Sequence, residues 1–306
     1  MSSYKKKVKI TKQNFKYYLT AFVLVLAITL ITEWLDAKNP TTNSEPKEET
    51  MQVHFLDVEQ GLSIVVQLGD EVLIYDGGDR DTSSFVVSYL QDLGITEIDY
   101  MISSHYDSDH LAGRIGCLNA FEVKQVIGSN YEHDSKLYTS FMEAVEAEGL
   151  QMQYPPVGKT YAFGEAEITV LAPKEIGKDS NANSVAIKLS YGESDFIITG
   201  DADYGSEREM AASGIDLDCE VLSLAHHGSA SGNSSLFLEK TTPEYAVISC
   251  AKGNNYGHPH VEVVELLEVM EIEVFRSDVL GTVIATTDGK TITWSQAPCN
   301  DYSDGE

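Results

Sequence analysis

Residues 104–110 read Ser-His-Tyr-Asp-Ser-Asp-His, so His105, Asp107, Asp109 and His110 fall within six positions. They follow the apolar run Tyr100-Met101-Ile102. A strand that ends in a tight loop can aim all four side chains at one point. Imidazole nitrogens and carboxylate oxygens together are the donors that divalent transition metals take, and the carboxylates tilt the choice toward harder ions. A solvated acidic loop rarely carries histidine at both ends, so the run is read as a metal site.

Four further islands share its placement at the end of an apolar stretch. They are Asp76 in Tyr75-Asp76-Gly77-Gly78-Asp79, Asp201 closing Phe196-Ile197-Ile198-Thr199-Gly200, the pair His226-His227 after Val221–Ala225, and His258 after Asn254-Asn255-Tyr256. Any one alone is weak. Gathered at one sheet edge they would line a single polyvalent pocket.

The elements that must position them are short. Alternating and β-branched runs predict strands in 51–58, 63–68, 71–76 and 100–102, with Gly-bearing turns between them. Later strands are expected at 167–171, 184–190, 195–198, 220–225, 245–249, 273–275, 282–285 and 291–294. Helical spacing predicts helices at 82–93, 110–121, 204–212, 236–240 and 261–270. Helices are interspersed among more numerous strands, which suggests two sheets with helices outside them, not a doubly wound parallel sheet. The last ten residues are polar and expected to fray.

The chain has 306 residues and a net charge of −27. Residues 1–50 hold eight lysines against five acids, a net of +3, so the rest carries −30. Such a body repels polyanions over most of its surface, and a nucleic acid must be drawn in locally, by bound metal. Six lysines precede Tyr17, and YLTAFVLVLAITLI (18–31) follows without an acid before Glu33. With Trp34 and Leu35 this is near the lower limit for crossing a bilayer. The lysines favour a cytoplasmic amino end, so residues 1–35 read as a stub and single-pass anchor with everything after Leu35 outside the cell. A cleavable signal peptide, giving a secreted domain, is the rival, but Leu35-Asp36-Ala37 is a poor cleavage site. Residues 36–50 read as a flexible spacer. The four cysteines (117, 219, 250, 299) show no zinc-knuckle spacing and read as buried small hydrophobes.

His105-x-Asp107-x-Asp109-His110 resembles the metal signature of the metallo-β-lactamase superfamily, in the variant with Asp at the second His position. Phe55–Gly61, Tyr75–Gly78, Thr199–Asp201, His226–Ser229, Tyr256–Pro259 and Ser277–Gly281 occur in the order seen in one branch, the hydrolase domains of competence DNA-uptake channel proteins. The resemblance spans residues 51–294. It implies an α/β (α+β) fold, a four-layer αββα sandwich, over 51–296; the polar composition of 297–306 marks that stretch as a disordered tail. It also implies two divalent metal ions, zinc or manganese. His105 and Asp107 would hold the first, Asp109 and His110 the second, with Asp201 bridging. One of His226 and His227 would complete the second site, and the other would support it or touch substrate. Asp57 and Asp76 would brace the ligands from behind. Where many members have a further His, this chain has Ser180, Asn181, Ala182 and Asn183. Glu59 and Leu62 also depart from the family's small and polar residues.

Two such ions lower the pKa of a shared water and neutralise charge on attacked and leaving oxygens. Asp109 is the candidate to orient or deprotonate the nucleophile, and His258 to protonate a leaving alkoxide or touch phosphate. The expected activity is metal-dependent phosphodiester hydrolysis, with single-stranded DNA as one substrate. A small phosphoester or a wall or lipid phosphodiester is the alternative, and a non-catalytic surface metal-binding protein a second. No protein partner is evident. Outside this set His54 reads as core, His133 as merely exposed in a polar loop, and His260 as a surface cap. Tyr256 draws attention beside His258.

Overall fold

The computed structural model describes residues 16, 17, 19, 20, 22–26 and 49–305. The chain divides into two units at residue 48/49. In the first, the described residues have helical backbone. The expected anchor and spacer lie largely outside the described residues. Among the described residues no helix is long and apolar enough to cross a membrane.

The second unit is built on two sheets. The first has the order β15-β14-β1-β2-β3-β4-β5-β6, with β1 Met51–Phe55, β2 Ile64–Leu68, β3 Glu71–Tyr75, β4 Glu97–Ile102, β5 Glu122–Ile127, β6 Met152–Gln153, β14 Val283–Thr287 and β15 Ile292–Trp294. The second has the order β13-β12-β11-β10-β9-β8-β7, with β7 Thr160–Phe163, β8 Ala166–Val170, β9 Ile187–Tyr191, β10 Ser194–Ile198, β11 Val221–Ser223, β12 Tyr245–Ile248 and β13 Glu273–Arg276.

Period-two patterning sorts the side chains into three cores. Met51, Val53 and Phe55 meet Phe196, Ile198 and Phe275 between the sheets. Their neighbours Val65, Ile74 and Met101 face the other way. They bury α1 (Ser83–Asp92), α2 (Ser108–Ala120) and α3 (Lys136–Ala147) through Val86, Leu111 and Phe141. On the far side Ile197, Leu222 and Ala246 cover α4 (Tyr204–Ala211), α5 (Ser235–Thr241) and α6 (Val261–Val269) through Met210, Phe237 and Val264. Three cores require four layers, helix–sheet–sheet–helix. A last short helix, α7 (Ser277–Leu280), follows β13.

Parallel pairing positions the site. β3 runs parallel to β4 with Tyr75 beside Ile102. β10, β11 and β12 are likewise parallel, with Ile198 beside Ser223 and Ser223 beside Val247. The carboxyl ends that release Asp76, His105, Asp201, His226 and His258 therefore leave the sheets at one edge.

Two expectations need correction. The 297–305 tail is not frayed: Cys299 N–H donates to Val274 O (3.0 Å), Tyr302 Oη to Ile272 O (2.9 Å) and Gly305 N–H to Pro259 O (2.9 Å). Arg276 draws it in by donating to Ser303 O (2.5 Å). The helix expected from His110 begins at Ser108, so Asp109 and His110 occupy its first turn instead of a loop. β5, β6, β7 and α3 carried no signal that the sequence reading used.

Candidate metal centre

Asp107 occupies the residue before α2 but does not cap it with its side chain. Its carboxylate instead faces His105, with Oδ2 3.5 Å from Nε2. Asp109 and His110 ride on the first turn. A carboxylate there is favoured by the helix dipole. The loop before β2 holds this turn, because Leu62 N–H donates to Asp109 O (3.2 Å). A Cβ on Gly61 would stand 2.5 Å from that same oxygen, so only glycine allows the approach.

Asp201 is the hub and is 3% exposed. Its Oδ1 lies 3.2 Å from His110 Nε2 and 3.8 Å from His227 Nε2. Its Oδ2 lies 3.8 Å from His105 Nε2 and 3.7 Å from His226 Nε2. Asp109 Oδ2 is 3.4 Å from His227 Nε2 and 3.8 Å from His110 Nε2. His226 and His227 follow β11 in a turn where both have left-handed backbone (φ 50° and 57°). Such a conformation costs on the order of 1–3 kcal/mol per non-glycine residue and persists only where the surroundings impose it. Asn233 does so here, accepting from Ala225 N–H (2.9 Å) and donating to the carbonyls of Ala225 (2.9 Å) and Ser229 (3.0 Å).

Each of these imidazoles is gripped at Nδ1. His105 pairs there with Ser104 Oγ (2.8 Å), His110 with Asp76 Oδ2 (2.8 Å), His227 with Ser249 O (2.8 Å) and His226 with Ser231 Oγ (3.0 Å). The Nε2 atoms of His105, His110 and His227, together with Asp201 Oδ1, are buried and have no hydrogen-bond partner among the described residues. Orphaned buried polar atoms are costly, and four of them converging is what a cation site requires. Donors held at one ring nitrogen and free at the other are the usual form of metal-binding histidine. The residues fit divalent metal.

Electrostatics agree. Burial would raise the Asp201 carboxyl, but the imidazoles of His110, His227 and His105 hold it well below the usual range. Asp109 is likewise depressed, burial being outweighed by His110 and His227. For His110, burial is overcome by Asp201, Asp109 and Asp76, and its pKa rises well above normal. Burial, helped by His227, His226 and His260, brings His258 down to about 4.

The family model for the metallo-beta-lactamase superfamily matches residues 56–252. This chain belongs to the metallo-β-lactamase superfamily. Similar curated proteins are ComE operon protein 3 of Bacillus subtilis, 28% identical over 83% of this chain and 35% of that protein. Competence protein ComA of Neisseria gonorrhoeae is 28% identical over 77% of this chain and 32% of its own length. Recombination protein 2 of Haemophilus influenzae is 28% identical over 76% and 28%. The chain thus spans about a third of the length of these relatives. Among solved structures, the metallo-beta-lactamase fold protein YhfI of Bacillus subtilis superposes with TM-score 0.51 at 17% identity, covering 78% of this chain and all of that one.

Within this superfamily domain the two sheet edges bring together His105, Asp107, Asp109, His110, Asp201, His226 and His227. His258 stands at the rim, its ring centroid 5.3 Å from that of His226 and 6.1 Å from that of His227. Asp76 is no mere turn residue: it also accepts from Ser104 N–H (2.8 Å) and Ser104 Oγ (2.6 Å). Asp57 is not brought in; its carboxylate accepts from Glu59 N–H (3.2 Å) in its own loop.

His133 corrects the sequence reading. Far from being merely exposed, it sets Nε2 3.2 Å from Asp107 Oδ1. Ser180 Oγ donates to the same oxygen (2.9 Å) from the stretch where other members carry a histidine. Arg114, fully buried, lies 3.7 Å from Asp76 Oδ1 beneath the site. Its spacing four residues after His110 on one helix was the available signal. Gln60 also escaped notice. It donates to His258 Nδ1 (3.4 Å) and accepts from Ala251 N–H (3.2 Å).

Proposed function

We propose that this chain is a metal-dependent phosphodiesterase that uses two divalent ions, zinc or manganese. The observation that carries the reading is the convergence of partnerless Nε2 atoms on the buried Asp201 carboxylate. His105, Asp107, Asp109, His110, Asp201 and His227 would hold the ions. When bound, divalent ions there supply Lewis acidity toward a phosphoryl oxygen and make water acidic enough to attack near neutrality.

The chain's own groups do the rest. Asp109 is partly exposed to the cleft beside the proposed ligand imidazoles, and its depressed pKa keeps it ionised, so that it can orient water by accepting its hydrogen bond. His258 receives a hydrogen bond from Gln60 at Nδ1, which leaves Nε2–H to donate into the cleft. With a pKa near 4 it is neutral at physiological pH, and suits binding a phosphoryl oxygen better than delivering a proton. Likeness to competence proteins supports phosphodiester over lactam or thioester.

A small phosphodiester is favoured over a long polymer. The cleft formed by Gln60, Asp107, Asn181, His226, Tyr256 and His258 with their neighbours has a volume of about 150 Å³ and, among the described residues, is lined by no Lys or Arg. A polyanion would meet few cations besides the metals. The order of lysines and apolar residues over 5–35 supports a membrane anchor with this domain outside the cell, or a secreted domain if that segment is cleaved.

The full chain in detergent should be offered bis-p-nitrophenyl phosphate, a short single-stranded DNA, a β-lactam and a thioester, with Zn²⁺ or Mn²⁺. The expected outcome is hydrolysis of the phosphodiester, lowered by about a hundredfold or more in Asp109→Ala. Equal rates in both proteins, or preference for the lactam, would overturn the reading.

A further inference from the structure

We propose that His226 is a ligand of the ion on the His105 side, so that the two adjacent histidines serve different ions. The inference rests on the two-ion reading above. The Asp201 carboxylate sorts the donors by oxygen, although donor atoms of His105 and His110 also lie within 4.8 Å of each other around it. On its Oδ1 side stand His110 and His227, with Asp109 Oδ2 beside both, which with Asp201 itself makes four donors. On its Oδ2 side stand His105 and, through His105, Asp107 Oδ2 at 3.5 Å. That is three donors with Asp201, one short of the four-coordinate set that zinc prefers.

His226 Nε2 is the atom in place to complete it. It lies 3.7 Å from Asp201 Oδ2, matching the 3.8 Å of His105 on the same oxygen. Donors bound to one ion at about 2 Å each stand roughly 3–4 Å apart, so each imidazole is spaced from Asp201 Oδ2 as a co-ligand of that oxygen would be. Its ring is held as the ligand rings are, at Nδ1, by Ser231 Oγ. The paired left-handed residues explain how neighbours diverge: the rings of His226 and His227 stand 6.0 Å apart at 74° and reach opposite oxygens of Asp201. An ion there would displace the Asn181 amide, whose nitrogen lies 3.4 Å from His226 Nε2 and 3.3 Å from its Nδ1. Asn181 occupies the stretch that carries no histidine of its own, so the fourth donor comes from the His226 turn.

The test is metal binding by the full chain after chelation, titrated with Zn²⁺ against a chromophoric competitor and with Co²⁺ by visible absorption. Wild type should bind two ions. His226→Ala should keep one tight ion and weaken the other about tenfold or more, with weaker Co²⁺ ligand-field bands. His227→Ala should weaken the other ion instead. Combined with Asp107→Ala, the His226 loss should be less than additive, and with Asp109→Ala additive, because the first pair shares an ion. His226→Gln, which keeps the ring's polar contact to Ser231, serves if the alanine variant loses its far-ultraviolet spectrum. Two ions bound by a folded His226 variant with unchanged affinity would overturn this assignment alone. Fewer than two in wild type would overturn the two-ion reading together with it.

Discussion

Asp76 is fully buried, and it positions two of the proposed ligands at once. One oxygen takes Ser104 N–H, and the other takes both Ser104 Oγ and His110 Nδ1. Ser104 in turn meets His105 Nδ1. Asp76→Ala should therefore weaken zinc binding by about 10–100-fold, the range found for carboxylates behind metal-bound histidine. Competition with a chelator reads this directly, and unchanged affinity would show the brace to be idle. At this scale the sequence was most legible. Histidine and aspartate at strand ends announce themselves by type, and all seven proposed ligands meet around one cleft. What escaped was support by residues of ordinary type. Ser104, Ser180 and Gln60 look like any polar loop residue until the fold brings them beside a ligand. His133 was misread because 28 residues separate it from His105, and no local pattern records that Asp107 comes to meet it.

Helix α2 carries two of the proposed ligands, Asp109 and His110, on its first turn, and its seating decides where they point. It lies directly on the Gly77-Gly78 turn: Gly77 N–H donates to His110 O (2.8 Å), and a Cβ on Gly113 would overlap the Gly77 carbonyl oxygen. Gly→Ala within a helix ordinarily stabilises by about 1 kcal/mol. Here Gly113→Ala should destabilise, by about 1–3 kcal/mol, because the added methyl must push helix and turn apart. Urea unfolding measures it, and a stabilised variant would contradict the close seating. Element types were readable where the apolar period was long, as in α1 and α6. The start of α2 was placed two residues late because Ser108 and Asp109 read as loop chemistry, although serine and aspartate are equally first-turn residues. β6 has two residues, and β7 only four, with exposed Thr160 and Ala162 alternating with half-buried Tyr161 and buried Phe163, so both runs are too short for their period to stand out.

Across the whole molecule, charge and burial set the working conditions. The globular unit is strongly acidic, yet burial lowers the pKa of His54 and His258. His54, sealed between β1 and α1 with Nδ1 on Tyr89 Oη (2.8 Å), is lowered by burial to about 4 from 6.5. The unfolded chain therefore takes up a proton between pH 6.5 and 4 that the folded chain refuses. Stability from this group is complete above pH 6.5 and is lost as pH falls toward 4, by up to about 3 kcal/mol. Comparing urea midpoints of wild type and His54→Gln at pH 7.5 and 5 should show a shallower decline in the variant; parallel declines would contradict the assignment. The layered architecture was inferable from strand count and interspersed helices. The docking of the tail was not, because Asn300, Asp301 and Tyr302 look like any polar tail residues until the fold brings Val274, Arg276 and Ile272 to meet them.

The most direct measurement is the rate of bis-p-nitrophenyl phosphate hydrolysis by the full chain before chelation, after chelation and after metal is restored, for wild type and Asp201→Ala. The account predicts activity that vanishes and returns with metal in wild type. In the folded variant it predicts a rate lower by at least about a thousandfold, roughly 4 kcal/mol in the barrier. Activity that survives chelation, or an Asp201→Ala protein as fast as wild type, would contradict it.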